Sequence, residues 1–414
     1  MNKSLSIIAS LGLLCMACNE SNEPPVESFE EISGIEKMLT DFYCAGNKNS
    51  RSSDSNIRII RIIRQSYQIQ GDTVVPIQEA MGRAADAELS DSVFEIATAE
   101  FSIGDNNGYA ILSDDERLNE IYFFTENGAI ADTADIPAVK DIFELTPFLA
   151  MQTLDDHRVE PFKPVDPGEP VDPGEPTGPI EPTDKPDDFI YEPLIKTEWD
   201  QGYPWNMYGQ YCDCSSCSMG QWNYHQPMGC VAIATAQVVA TWEPFSPISS
   251  YSYKTFYGTR SNADVINKAK PITTEEKKKA AHICHEVALG CQTKFGCSGS
   301  HSKLECAYQY LKEIGCSVDF VKGSMSLERA KFILSSLPIL VAGQRSGNKG
   351  HAWIVDGLKC VNGDYYYHCN WGLRGFSNGW VTPNYYTATN SDHTDIRKYS
   401  GNLRTIYIYF PPRN

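Results

Sequence analysis

The apolar positions of this 414-residue chain fall into several patterns, each predicting a different element. After Cys230 the run Val231, Ala232, Ile233, Ala234, Ala236, Val238, Val239 and Ala240 leaves few polar positions. It predicts a helix buried on nearly all sides, with Cys230 at its N-terminal end. Weaker helical periodicity marks 30–39, and further helices are expected over 273–289 and 299–314. The 273–289 helix is opened by an N-cap at Thr273 or Thr274, with Glu275 and Glu276 in its first turn. Strand-like runs cover 108–112, 121–124 and 337–342, and Asn127-Gly128 after the second reads as a turn closing a hairpin. Two further runs, 351–357 and 365–372, flank Asn362-Gly363, which predicts a hairpin that folds Asn370 and Trp371 back alongside His351. The Ile- and Arg-rich segment 56–70 carries a mixed signal.

Two stretches interrupt these patterns. Residues 1–18 have a basic start at Lys3, an apolar core and Ala17 before a cysteine, which is the pattern of an export signal. Leu14-Cys15-Met16-Ala17-Cys18 resembles a bacterial lipobox, with Cys15 where an aliphatic residue is usual, so Cys18 is the expected lipidation site. The polar run Asn19–Glu23 resembles the tether of surface lipoproteins. Further on, Pro164–Pro170 is followed by its near copy Val171–Pro176. Such a sequence cannot bury a core and predicts an extended, self-repelling spacer. The expected division is a signal peptide (1–18), a first domain (19–155), a Pro-rich linker (156–188) and a second domain (189–414). An outer-membrane or cell-surface lipoprotein follows, with release after processing as the variant.

Composition narrows the partners. At 42% hydrophobic and 11% aromatic residues, the chain can build two cores. A formal net charge of −18 offers no basic excess to neutralise phosphates, which argues against nucleic acid as a general partner. No later stretch approaches the roughly 20 apolar residues of a membrane span.

Cysteine is concentrated in the second half, with eleven residues from Cys212 onward against Cys44 alone between signal and linker. Export permits disulfides, and at most five can form there if one thiol stays unpaired. Cys212, Cys214 and Cys217 could be half a metal site, but no Cys/His pair at zinc-like spacing accompanies them, so disulfides to later cysteines are the expected use. Neither a metal nor a cofactor is expected. His282 and His285, three residues apart with no third ligand, read as solvated or structural. The first domain shows no catalytic spacing.

Four blocks in the second half carry chemistry. Gln201 lies in a turn-rich stretch 29 residues before Cys230, and a loop carboxamide can join a backbone N–H in an oxyanion hole. Gly229-Cys230 opens the buried helix, whose dipole favours the thiolate. Gly350-His351 opens a strand behind a glycine-rich loop, and Asn370-Trp371-Gly372 returns beside it, where a carboxamide and an indole can fix the imidazole tautomer.

The blocks Trp199-Asp200-Gln201-Gly202-Tyr203-Pro204, Gly229-Cys230-Val231-Ala232 with Ala236-Gln237, Gly350-His351-Ala352-Trp353-Ile354-Val355-Asp356-Gly357, and Asn370-Trp371-Gly372 resemble, in this order, the streptopain family of papain-like cysteine peptidases. The likeness implies an α+β fold in which a helical part carries the nucleophile and an antiparallel β part the histidine. A small α+β prodomain would precede it, since 108–117 and 121–128 resemble the family's propeptide. It further implies Cys230 as nucleophile, His351 as general base and acid, Gln201 as oxyanion donor, Trp371 as the cover and orienter of His351, and Asn370 as a second orienter. The implied activity is an endopeptidase made as a zymogen, with protein substrates and its own propeptide in cis as partners. On this reading Cys230 is the one thiol of its domain that stays unpaired. Leu373 stands where the family usually has a second tryptophan, which implies a differently shaped groove. Two rivals are a Cys/His amidase acting on cell-wall peptides and a catalytically dead adhesin or inhibitor on the same fold.

Overall fold

The computed structural model describes residues 29–45, 56–71, 73–77, 92–130, 137–158, 186–212, 214, 222–241, 273–323, 325–344, 350–386 and 403–409. The expected signal peptide, Cys18, Cys217 and most of the Pro-rich linker lie outside them. The first half contains α1 (Phe29–Cys44), β1 (Ile57–Gln70), β2 (Thr73–Pro76), β3 (Val93–Ile103), β4 (Asn106–Leu112), β5 (Ile121–Thr125) and α2 (Pro137–Arg158). The second half contributes β6 (Phe189–Tyr191), α3 (Cys230–Thr241), α4 (Thr274–Gly290), α5 (Leu304–Glu313), β7 (Ser317–Lys322) and α6 (Leu327–Leu334). It ends with β8 (Ile339–Gln344), β9 (Gly350–Val361), β10 (Asp364–Asn370), β11 (Gly379–Val381) and β12 (Arg404–Tyr409).

All of these strands join one antiparallel sheet, in the order β2-β1-β3-β4-β5-β11-β10-β9-β8-β12-β7, with β6 added against β9. The strands of the two halves meet where β5 pairs with β11, through Phe124 opposite Trp380 and Phe123 opposite Val381. Alternation along the strands gives the sheet two apolar faces. One face packs Phe123, Trp353, Val355 and Trp371 against α2 and α6. The other receives α1 on Ala97, Phe101, Phe124 and Trp380, and receives α3, α4 and α5 on Leu340, Ala352, Ile354 and Ile406. No helix among the described residues is long and apolar enough to cross a membrane.

Local signals account for most boundaries. Thr273 caps α4, and Glu276 returns the bond to the Thr273 N–H, the capping box that satisfies two otherwise unpaired donors. Asn362 and Gly363 take φ of 53° and 91°, the backbone of a tight turn whose twist suits the β9–β10 hairpin. Two expectations change. The helix expected over 299–314 is confined to α5, because 293–301 folds back on itself with Lys294 bridging His301. Asn127-Gly128 closes no hairpin. It lies beyond β5, where the Gly128 N–H meets the Asn107 carbonyl at 3.0 Å, and β4 and β5 are instead joined through 113–120.

The cysteines also depart from expectation. Cys284, Cys291, Cys306, Cys316 and Cys360 are unpaired, as Cys230 is, so Cys230 is not the single free thiol of its half. Most of these sulfurs serve as small core groups, and burial pushes the thiols of Cys284, Cys291 and Cys316 up, which keeps them protonated and inert. Cys212 is disulfide-bonded.

Candidate active site

The site is built where α3 meets β9. Gly229 turns the chain into α3 with φ of +88°, and a β-carbon there would stand 3.1 Å from the Ser300 carbonyl, so glycine is what the turn and the close approach require. From Val231 to Ala240 every residue of α3 is buried, as its apolar run predicts. Cys230 is the first helical residue. Although part of its surface stays open, its sulfur is densely surrounded, and burial pushes the thiol above its ordinary range. The backbone N–H groups of Ala352, Val231 and Cys230 itself pull the other way, because they favour the thiolate. Contact with the Ala352 N–H brings the thiol to the residue that follows His351.

His351 is 9% exposed at the head of β9 and is held by main chain. Its Nε2 lies 3.0 Å from the Trp371 carbonyl, and its ring stacks at 12° on Trp353. Burial lowers its pKa to about 4 against the raising effect of that carbonyl. Trp371 is itself fixed: its N–H meets Asn378 Oδ1 at 3.0 Å, its Nε1 donates to the Ser377 carbonyl at 2.7 Å, and its ring packs on Trp353. Trp371 thus meets His351 through its main-chain carbonyl.

Asn370 is directed elsewhere. Its Nδ2 donates to the Thr197 carbonyl at 2.9 Å, and its Oδ1 accepts from Gly372 N and Gln237 Nε2. The physical cause is a bulge. Pairing between β9 and β10 slips between His368 and Cys369, so Asn370 stands opposite Ile354. One extra residue on β9 moves the end of β10 to the other parity. Asn370 then shares the α3 side with Ile354, and Trp371 shares the other with Trp353.

Gln201 is brought to the nucleophile by backbone. Its carbonyl accepts from Met228 N at 3.0 Å, two residues before Cys230, and its own N–H donates to Asp200 Oδ1 at 2.6 Å. The structure thus gathers Cys230, His351, Gln201 and Trp371 and turns Asn370 into a brace. Gln237, Trp353 and Arg374 complete the surroundings without having been assigned roles from sequence. The signals for the first two were a lone carboxamide on an apolar helix and a tryptophan two residues after His351, on the same side of a strand.

Away from this site, the sulfurs of Cys212, Cys214 and Cys297 lie within 4.8 Å of one another, close enough to share a metal ion, but the disulfide of Cys212 already occupies one of them. His282 stacks on Tyr208 with ring centres 3.7 Å apart, in keeping with a structural role.

No curated protein matches the chain. Among solved structures, a fragment of Prevotella intermedia prointerpain A carrying a cysteine-to-alanine substitution is similar at 16% identity and a TM-score of 0.49, over 76% of this chain and 96% of that one. The model of the peptidase C10 family matches residues 199–381, a span that holds Gln201, Cys230, His351 and Trp371. Residues 199–381 accordingly match the peptidase C10, or streptopain, family of cysteine peptidases.

Proposed function

We propose that the chain is an exported cysteine endopeptidase held as a zymogen, with Cys230 as nucleophile, His351 as general base and acid, Gln201 as oxyanion donor and Trp371 as orienter. One observation carries this reading: the Cys230 thiol meets the N–H next to His351, whose Nε2 is committed to the Trp371 carbonyl. A carbonyl only accepts, so Nε2 carries the proton and Nδ1 presents a lone pair. Proton transfer from the thiol to Nδ1 creates the nucleophile. The sulfur then bonds to the scissile carbonyl carbon, whose oxygen takes the negative charge beside the Gln201 amide and the Cys230 N–H. The imidazolium returns its proton to the leaving amine as the C–N bond breaks, and water hydrolyses the thioester.

Burial now opposes the first of these steps, since it favours thiol and imidazole over thiolate and imidazolium. This supports a resting state that the first domain maintains. That domain grips the loop after Trp371: Ser377 N donates to the Asn127 carbonyl at 2.9 Å, and Thr125 Oγ1 donates to the Asn378 carbonyl at 2.6 Å. Residues 19–155 are the proposed propeptide, and Cys18 the proposed lipid anchor.

Casein cleavage after activation tests the reading. Cys230→Ala should lose essentially all turnover, and Gln201→Ala about 10²-fold to 10³-fold. A Cys230→Ala protein as active as the parent would overturn the assignment. Cleavage of peptidoglycan peptides but not of casein would favour the amidase. Lipidation is read from incorporation of labelled fatty acid, which Cys18→Ala should abolish.

A further inference from the structure

The loop between β10 and β11, residues 371–378, carries an arginine to which the sequence reading assigns no part. Arg374 directly follows Leu373, takes φ of 59°, and is held by its own N–H on the Trp199 carbonyl at 3.2 Å. Its guanidinium spreads over the loop that contains Gln201. Nε meets Asp200 Oδ2 at 2.7 Å, Nη2 donates to the Tyr203 carbonyl at 2.9 Å, and the group lies 5.4 Å from the centre of the Trp205 ring. Asp200 is only 6% exposed, and its other oxygen accepts the Gln201 N–H at 2.6 Å.

These bonds form a continuous chain. Gln201 is held on one side by Met228, just ahead of the nucleophile, and on the other by Asp200, which Arg374 holds. Arg374 stands three residues after Trp371, whose carbonyl holds His351. We propose that Arg374 is a positioning residue that, through Asp200, sets the Gln201 loop against the nucleophile. The proposal rests on the reading of Gln201 as the oxyanion donor.

The fork is what matters chemically. A guanidinium sends donors in fixed, divergent directions, here to a carboxylate and a carbonyl of the same loop, whereas an ammonium is a single point of charge. The pair is also mostly out of water, with side-chain exposures of 33% and 8%, so it is less screened than a surface pair. Because a positioning error of about 1 Å can cost on the order of 10²-fold in rate, a residue that touches no substrate can set turnover.

The test uses the enzyme processed from the full-length chain and a chromogenic peptide, with kcat and KM measured for Arg374→Met, Arg374→Lys, Gln201→Ala and the double variant Arg374→Met/Gln201→Ala. Arg374→Met should lower kcat by roughly 10-fold to 10²-fold with KM within about 2-fold, and Arg374→Lys should fall between it and the parent. The double variant should be no slower than Gln201→Ala, because the two changes disable one device. Alkylation of Cys230 by iodoacetamide forms no oxyanion, so its rate should be unchanged in Arg374→Met. A slowed alkylation would place the effect on the Cys230–His351 pair and overturn the proposal. If Arg374→Met does not fold, Asp200→Asn takes its place, since it keeps the shape and loses the charge. Unchanged kcat in that set, or losses that multiply in the double variant, would overturn the proposal. If Gln201→Ala itself keeps full kcat, the oxyanion reading fails first, so the two failures are separable.

Discussion

Two seams run through this molecule, and they bury polar groups in different ways. Inside the peptidase half, α3 is fastened to the β10 end by neutral amides. Gln237 Oε1 accepts from Thr197 Oγ1 at 3.1 Å and Trp199 N at 3.0 Å, while its Nε2 reaches Asn370. Between the halves, the seam at β5 and β11 spans two residue pairs and is joined by a buried lysine. Lys359, 1% exposed on β9, donates to the Phe42 carbonyl near the end of α1 at 2.9 Å, and lies between the Phe42 and Trp380 rings. Burial drives its pKa down to about 7, against the raising influence of Glu126, Glu192 and Cys44. A network of neutral groups holds at any ordinary pH. A buried lysine holds conditionally, because its charged form is the one that burial disfavours.

The sharpest break in that comparison is Gln237→Ala. It removes one side chain and leaves the Thr197 hydroxyl, the Trp199 N–H and the Asn370 carboxamide short of partners in a buried place. Unsatisfied groups of this kind cost about 1–3 kcal/mol each, so the variant should lose about 2–4 kcal/mol in urea unfolding and most of its activity. A loss below about 1 kcal/mol would mean that the neutral seam is not what fastens α3.

Next in size is the pH response of the other seam. In the docked state Lys359 binds its proton with a pKa near 7, against an ordinary value of 10.5 when released. The released state therefore holds more protons between these values, and docking strengthens as pH rises through that window. It is weakest below pH 7. His351, lowered from 6.5 to about 4, acts in the same direction at lower pH, and Glu126, raised by burial, acts against both on acidification. Between pH 7 and 8.5 Lys359 dominates, so stability should rise by about 1 kcal/mol per pH unit in the parent and stay flat in Lys359→Met. The methionine variant should also be more stable at pH 7 by about 1–2 kcal/mol, since a well-packed apolar group replaces a charge. Equal slopes in the two proteins would remove the conditional character of the seam.

What the sequence disclosed and what it hid follow the same division. The apolar run after Cys230 announced a helix buried all round, and Asn362-Gly363 announced the hairpin that brings the Trp371 end to His351. Both signals are local and carried by side-chain type. The bulge near His368 left no such trace, yet it decided that Asn370 faces α3 while the Trp371 carbonyl takes the imidazole. Main-chain acceptors are the same at every residue, so no pattern of letters reveals which one a histidine will use. The mixed signal over 56–70 belongs to β1, whose arginines pair across the strand, Arg61 with Glu100 and Arg64 with Glu95. A strand that carries charge on its open face loses the plain alternation by which strands are read. Lys359 was hidden for a related reason, because a lysine in a strand reads as solvent-facing until a helix from the other half of the chain is laid over it.

The smallest effect should come from the grip of the first domain on the loop after Trp371. Asn127 Nδ2 donates to the Gly375 carbonyl at 3.3 Å, and Tyr109 OH donates to Ser377 Oγ at 2.8 Å. Asn127→Ala and Tyr109→Phe each remove one such bond and leave the β5–β11 pairing untouched, so each should cost only about 0.5–1.5 kcal/mol of stability. The informative readout is local. If the first domain steadies His351 through this loop, labelling of Cys230 by an epoxysuccinyl peptide in the unprocessed chain should quicken several-fold in the double variant. Labelling of the processed enzyme should not change, because there the first domain has gone. An increase in both forms would place the effect within the peptidase half. No increase in either would leave the seam as a hinge for docking alone, with the resting state of the Cys230–His351 pair set by burial inside its own domain.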